Sequence, residues 1–395
     1  LYLNVFDAEG KLRDAPDLAS IHSLRQLLGS AKKLELPCQP WRIANEVKDF
    51  IAIERSIRNP TCSWSSDEFD GLECTVDFVD GANSSVDSAA WLPGFGPDST
   101  ESNPKREHLR ILQQVCDRMS ASLGDFGNEA SQLPKHGPGV VANLKRGESK
   151  YSFPFWSRKL QAVYPHDYYA YPNLGFVGNH DRKVEWALNH EYPSRLISVP
   201  KTQKAPRLIA AEPVEHQWIQ QLIMRQLEVK WQATPIGKIV RLRDQTENRS
   251  FAITASKTGA YATVDLSSAS DRLSCWTVER AFRANQTALR AFHSSRTRWL
   301  RNRIEPTHGE YILLKKFAAM GSACTFPVQS FVYACIAVAA VLIQQNERVT
   351  SRSIDRCAHR VRVYGDDIII PVEALSVLVE LLTFNGLKVN TDKTF

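Results

Sequence analysis

A chain of 395 residues, 43% hydrophobic and 23% charged, is long enough for a large buried core and two or three subdomains. That composition is ordinary for a soluble globular protein and excludes an extended low-complexity chain. The net charge of +6 is modest, and the eight cysteines include no Cys-x-x-Cys pair and no Cys/His group at zinc spacing, which excludes a sequence-local zinc site.

Charge is unevenly spread. The first hundred residues carry the acids Asp67, Glu68, Asp70, Glu73, Asp77 and Asp80. Residues 145–207 hold an excess of Lys and Arg interleaved with Tyr, Phe and Trp. This suggests a polyanion held on one face, with an unevenly charged solvated surface as the plain alternative. Residues 81–104, rich in Gly, Ser, Pro and Asp, read as a loop or linker. Leu109, Leu112, Val115, Cys116 and Met119 then repeat at helical spacing. Residues 135–139 (KHGPG) form a turn, and residues 217–230 a helix with Trp218, Ile219, Leu222, Ile223 and Leu227 on one side.

The last third is more regular. Residues 261–266 (YATVDL) read as a strand, 267–270 as a turn, and a helix starts near Asp271. Residues 305–317 read as a hairpin turning at Thr307-His308-Gly309. Residues 320–325 form a loop into the apolar run 331–343, which is too short to span a bilayer and reads as a buried core helix. Around residues 361–370, Val361 and Val363 alternate with Arg362 and Tyr364, and Ile368-Ile369-Ile370 follows Gly365-Asp366-Asp367. That is a hairpin with two carboxylates at its tip. Leu375, Leu378 and Leu382 form a helical stripe ending at Asn385-Gly386, and a strand follows at 387–389. Strands and helices in this order imply an α+β domain with helices on an antiparallel sheet. The cysteines read as reduced thiols in a cytoplasm. The chain opens on Leu1 rather than Met and stops at Phe395 without a closing element, which suggests a fragment.

Adjacent carboxylates repel, so the Asp366-Asp367 tip suits hard divalent cations, with an ordinary Asp-rich turn as the alternative. On the 261–266 strand Thr263 and Asp265 share a face. If that strand neighbours the hairpin, Asp265 meets Asp366 at one end of the sheet. Three carboxylates there could hold two ions roughly 3.5–4 Å apart, the arrangement used for phosphoryl transfer. Asp265 as a helix N-cap or turn acid is the plainer reading. No phosphate-binding loop, nucleophile elbow or His-Glu-x-x-His segment competes.

The segments 262–272 (ATVDLSSASDR), 320–327 (MGSACTFP) and 363–367 (VYGDD) resemble motifs A, B and C of viral RNA-directed RNA polymerases. Their wording is similar to the replicase catalytic subunit of single-stranded RNA bacteriophages. Residues 135–139, Asp244-Gln245-Thr246-x-Asn248, the basic segment 199–209 (motif F), read as an extended segment kept non-helical by Pro200 and Pro206, and 386–394 (motif D) also resemble that family. The resemblance runs from about residue 135 to the end and implies a right-hand polymerase. Its fingers would be residues 105–255. Its palm would be residues 256–395, with a ferredoxin-like (RRM-like) antiparallel sheet backed by helices. Residues 1–104 match poorly, and the thumb is expected to be absent.

The resemblance implies that Asp265, Asp366 and Asp367 hold two Mg²⁺ ions, with Mn²⁺ as a substitute. It makes Lys393 the acid that protonates pyrophosphate. Lys201, Lys204 and Arg207 would contact the triphosphate of an NTP. Asp271 would sense the ribose 2′-hydroxyl, or cap the next helix, or both. Ser322 and Thr325 would hydrogen-bond near the ribose or to Asp271, Ser270 would be among the nucleotide-binding residues, and the family often has Asn where Ser322 stands. Gly321 would let the backbone approach the duplex. Template and product RNA, host translation elongation factors and a ribosomal protein are implied partners, no membrane is, and the cytoplasm of an infected bacterium is the implied location. The rivals are a reverse transcriptase, a non-catalytic RNA-binding protein with a degenerate palm, and a membrane protein built on residues 331–343.

Overall fold

The apolar run found in the sequence is the axis of the molecule. The computed structural model describes residues 1–32, 38–66, 72, 74–81, 105–127, 133–145, 147–151, 153–173, 175–176, 191–201 and 205–394. Residues 82–104 of the linker expected at 81–104, Lys204, and four of the N-terminal acids (Asp67, Glu68, Asp70 and Glu73) lie outside the described residues. The helix Thr325–Gln344 begins six residues earlier than the apolar run, with Pro327 in its first turn, where the missing N–H costs nothing. At 20 residues it is long and apolar enough to cross a membrane, by length and composition alone. Every residue from Pro327 to Leu342 is buried, which is the mark of a helix apolar all round. It packs against helices Arg106–Ala121 and Leu375–Phe384. Each large side chain buried there contributes roughly 1.5–3 kcal/mol.

The described strands are β1 (Ser194–Val199), β2 (Arg207–Ala211), β3 (Tyr261–Val264), β4 (Leu266–Ser267), β5 (Trp299–Arg301), β6 (Tyr311–Leu313), β7 (Arg362–Tyr364), β8 (Asp367–Pro371) and β9 (Lys388–Val389). One sheet runs β3-β8-β7, all antiparallel, with one face against the Thr325–Gln344 helix. Next to it β4 pairs with β9. Ala262, Val264 and Leu266 are buried while Thr263 and Asp265 are not, as the period-2 pattern requires. A second sheet runs β2-β1-β5-β6.

Three local expectations need correction. The strand expected at 261–266 is interrupted at Asp265, which separates β3 from β4. The basic segment 199–209 is not one extended stretch: Val199 pairs with Arg207, so it turns back as the β1–β2 hairpin. Pro200 and Pro206 keep the flanks non-helical, which is compatible with a reversal between them. The hairpin expected at 305–317 instead joins β5 to β6, pairing Trp299 with Leu313, with a short helical turn at Pro306–His308.

Two helices near the start had no counterpart in the sequence reading, Leu18–Lys32 and Pro40–Ser56. The second buries Val47, Phe50 and Ile51 against Leu196, Leu208, Ala210 and Leu300 of the second sheet and Leu314 just after it. That contact sets its other residues beside the Ala269–Arg272 helix, at the edge of the acidic site.

Candidate active site

The hairpin tip is a two-residue turn, Gly365-Asp366, closed by the pairing of Tyr364 with Asp367. Of those two central residues only Gly365 has positive φ, +63°, the pattern of a type II′ turn. Its N–H donates to Ser330 Oγ at 3.1 Å, and Ser330 donates to the carbonyl of Phe326, so the core helix fixes the tip. A Cβ on Gly365 would lie 2.7 Å from Phe326 Cε2.

β3 pairs with β8 so that Val264 faces Ile368. Continuing that register by one residue sets Asp265 across from Asp367. Asp265 and Asp366 line one cleft of about 340 Å³, together with Lys201, Arg207, Ser270, Asp271 and Lys393. Asp265 and Asp367 line a second cleft of about 280 Å³, with Gln245, Asn248, Arg249 and Lys393. Asp265 thus borders both clefts. The Asp367 carboxyl is held above the usual range, by burial first and then by the charges of Asp366 and Asp265, while Lys393 opposes the rise. Mutual repulsion of that kind places the three acids within electrostatic reach of one another. Three carboxylates at one site are a hard-oxygen donor set that could hold Mg²⁺ or Mn²⁺.

Asp265 is not a helix cap. The Asn390 side chain donates to its Oδ2 at 2.9 Å, the Asn390 N–H donates to its carbonyl at 2.9 Å, and Lys393 Nζ lies 3.4 Å from Oδ2. Asp271 does not cap the next helix either, because Ser274 does so by accepting from Thr277 N–H. Asp271 Oδ1 instead accepts from the fully buried Lys316 Nζ at 3.0 Å. Just before it Ser268 has φ +52°, a left-handed conformation that a non-glycine residue holds only when its surroundings impose it.

The remaining residues singled out by sequence divide. Lys201 and Arg207 stand on the wall of the larger cleft, at the end of the β1–β2 hairpin. Ser270 lines it too and donates to Gln329 Oε1 at 2.8 Å. Thr325 is buried and donates to the carbonyl of Ala319 at 2.8 Å. Ser322 lines a small polar cavity of about 10 Å³ with Glu212, Gln220 and Thr297, rather than either acidic cleft. Gly321 has φ +127°, and a Cβ there would lie 1.9 Å from the carbonyl oxygen of Ala210. Its close approach is therefore to β2, where Ala210 N–H donates to Met320 at 2.7 Å.

Sequence reasoning assigned no role to Lys316, Glu54, Asn390 or Arg249. It also missed a buried group, Cys62, Cys74 and Glu279, whose ligand atoms converge within 4.8 Å. Sequence spacing could not show it, because Glu279 comes from more than 200 residues away. Its carboxylate accepts from Thr61 N–H, Cys62 N–H and Trp64 Nε1, and Arg280 lies 3.3 Å away. With both oxygens so occupied, the acid anchors residues 61–64 to the core.

The profile of the family described as RNA replicase, beta-chain, matches residues 150–395. The RNA-directed RNA polymerase subunit beta of Qbeta virus (strain MX1) is 32% identical over 202 residues, which is 51% of this chain and 31% of that protein. The RNA-directed RNA polymerase beta chain of Escherichia phage MS2 is 30% identical over 213 residues, 52% of this chain and 35% of that protein. The matched part is thus about a third of each relative. The RNA-dependent RNA polymerase of a human picorbirnavirus shares 13% identity over 51% of this chain and 40% of its own, with a TM-score of 0.37, a level that adds nothing to the assignment. The family profile spans more than half of the sequence and includes Asp265, Asp271, Asp366 and Asp367, so this chain belongs to the RNA replicase beta-chain family.

Proposed function

We propose that this chain carries the nucleotidyl-transfer centre of an RNA-directed RNA polymerase that copies a single-stranded RNA genome. The observation that carries the reading is the meeting of Asp265 and Asp366 with Lys201 and Arg207 in one cleft, with Asp367 in the adjoining cleft that Asp265 also borders. Acids and cations lining one cleft suit an NTP whose triphosphate needs both protein cations and bound divalent ions. Two Mg²⁺ ions, or Mn²⁺ in their place, would supply Lewis-acid chemistry there, activating the RNA 3′-hydroxyl and neutralising the leaving pyrophosphate. Asp265 and Asp366 would hold those ions from two strands, with Asp367 contributing from the second cleft. Arg207 and Lys201, with Lys204, would hold the phosphates. Asp271 would accept a hydrogen bond from the ribose 2′-hydroxyl, and Lys393 would deliver the proton to pyrophosphate.

The strand order supports a palm. Followed through the break at Asp265, the strands run β9, β4–β3, β8, β7, the order of a ferredoxin-like sheet. Template and product RNA would lie against the basic wall, and host elongation factors and a ribosomal protein complete the proposed assembly. The bacterial cytoplasm is the proposed location, supported by eight free cysteines.

The test is primer extension by the complete replicase polypeptide. Asp366→Asn is expected to abolish incorporation while RNA binding survives, and unchanged incorporation would defeat the metal assignment. The wild type is expected to use rNTPs. A preference for dNTPs would make it a reverse transcriptase instead.

A further inference from the structure

Lys316 is the least ordinary residue near the site. Its side chain is entirely buried, although it carries an ammonium. A buried charge persists only where opposite charge and hydrogen bonds replace water. Here Asp271 Oδ1 lies 3.0 Å from Nζ, Glu54 Oε2 lies 3.4 Å away, and the Phe50 ring centroid is 3.4 Å from Nζ. Glu54 is held in turn: its Oε1 accepts from the N–H groups of Lys315 and Lys316. The ammonium is thus seated between two carboxylates on an aromatic face, and three segments far apart in sequence build the seat.

We infer that Lys316 is a positioning residue for sugar selection, acting through Asp271. The inference rests on the reading that Asp271 meets the ribose. Asp271 borders the larger cleft beside Asp265 and Asp366, and the lysine takes one of its two oxygens. The other oxygen remains for a ligand. An ionised carboxylate only accepts hydrogen bonds. Fixed in this way it can receive the proton of a 2′-hydroxyl and offers nothing to a 2′-deoxy carbon. A site built to hydrogen-bond a hydroxyl discriminates strongly against the analogue that lacks it, provided the acceptor cannot turn away. Lys316 supplies that constraint, and the Pro40–Ser56 helix supplies Phe50 and Glu54 to hold Lys316. The Pro40–Ser56 helix, which also lines the larger cleft, thereby acts on nucleotide choice through Lys316.

The test measures kcat/KM for rNTP and dNTP incorporation in the complete replicase polypeptide. Lys316→Met is expected to lower the rNTP/dNTP ratio by about 10- to 100-fold, the range carried by a hydrogen bond to a charged group. The loss should fall on rNTPs, with dNTP use little changed. Lys316→Arg should retain more of the ratio than Met. Removing the ammonium leaves two acids facing each other, so Lys316→Met/Glu54→Gln is made in parallel to relieve that repulsion, and the same fall is expected. Equal loss for rNTPs and dNTPs, an unchanged ratio in Lys316→Met or in the double variant, or a ratio in Lys316→Arg no higher than in Lys316→Met, would overturn the inference. Asp271→Ala separates the two levels. If it collapses the ratio and the Lys316 variants do not, only the role of Lys316 fails. If it leaves the ratio intact, the ribose reading itself is wrong.

Discussion

Three glycines near the site provide a graded test of how the molecule is held together. All have positive φ: Gly386 at +76°, Gly365 at +63° and Gly321 at +127°. They differ in what an added methyl would meet. At Gly386 there is nothing within 4 Å, so Gly386→Ala costs only the left-handed backbone, about 1–2 kcal/mol. At Gly365 the methyl would lie 2.7 Å from the Phe326 ring, which adds about 1–3 kcal/mol of overpacking unless the ring moves. At Gly321 it would lie 1.9 Å from a backbone carbonyl of β2, which cannot turn aside. The loop must leave the strand and lose the Ala210–Met320 hydrogen bond, so the cost is about 4 kcal/mol or more. For 395 residues the unfolding entropy is about 0.8 kcal/mol per degree, so Gly386→Ala should lower the melting temperature by about 2 °C and Gly321→Ala by about 5 °C or more. Scanning calorimetry gives the order, and primer extension should fall for Gly365→Ala and Gly321→Ala but not for Gly386→Ala. Phe326→Leu should partly rescue Gly365→Ala and do nothing for Gly321→Ala. If Gly321→Ala melts within a degree of Gly386→Ala and still incorporates nucleotides, the packing of the loop on β2 is not as described.

Glu279→Ala should destabilise by about 3 kcal/mol or more, because it strands the buried Cys62 N–H and Trp64 indole N–H and frees the part-buried Thr61 N–H, and limited proteolysis should then cut first around residues 58–66. Burial pushes the Glu212 carboxyl up to about 7 from an ordinary 4.5, against hydrogen bonds from Thr297 and Gln220. A folded-state value above the unfolded one means that its contribution is fully present below pH 4.5 and is lost as the pH rises through about 7. Melting temperatures of Glu212→Gln between pH 4.5 and 7.5 should therefore fall less steeply than those of the wild type, and identical slopes would refute the assignment. Mg²⁺ at a hundred times its dissociation constant should stabilise the chain by about 2.7 kcal/mol, or about 3 °C, and Asp366→Asn should abolish that shift.

The parts of the fold that were legible in the sequence rest on local periodicity. The hairpin at Asp366 showed because Val361 and Val363 alternate ahead of the acids and three isoleucines follow them. The helices Thr325–Gln344 and Leu375–Phe384 showed because their apolar residues dominate, and Val214–Gln232 because Trp218, Ile219, Leu222, Ile223 and Leu227 fall on one side. The Pro40–Ser56 helix did not, because a buried acid interrupts its apolar face at Glu54. That acid makes sense only beside Lys316, 262 residues away, and no local pattern reports a partner at that distance. The basic segment failed for a related reason. Two prolines and evenly spaced cations describe an extended backbone equally well whether it runs on or doubles back, and only the pairing of Val199 with Arg207 decides. Within the site, the strand residues were legible as types, but the occupations of Gly321 and Thr325 were not: one makes room for β2 and the other is bonded to Ala319.

Charge accounting across the larger cleft singles out one pair of acids. Asp271 faces the ammonium of Lys316, and Asp265 faces Asn390 and Lys393. Burial and the neighbouring Asp49 push the Glu46 carboxyl up, and Lys201 opposes them. Among the described residues no ion pair joins Asp366 or Asp367 to a cation, and burial, with the charges of Asp366 and Asp265 added, raises the Asp367 carboxyl against the opposing charge of Lys393. A fold that pairs Asp265 and Asp271 with lysines and leaves the adjacent carboxylates at the turn without such a partner has placed a deficit of positive charge there. The glycine, the Ser330 hydrogen bond and the Phe326 ring prevent that turn from relaxing away from the repulsion. On the proposed reading, divalent ions brought to the cleft would supply the missing charge, and the Gly365, Ser330 and Phe326 contacts would hold the two carboxylates in place for them.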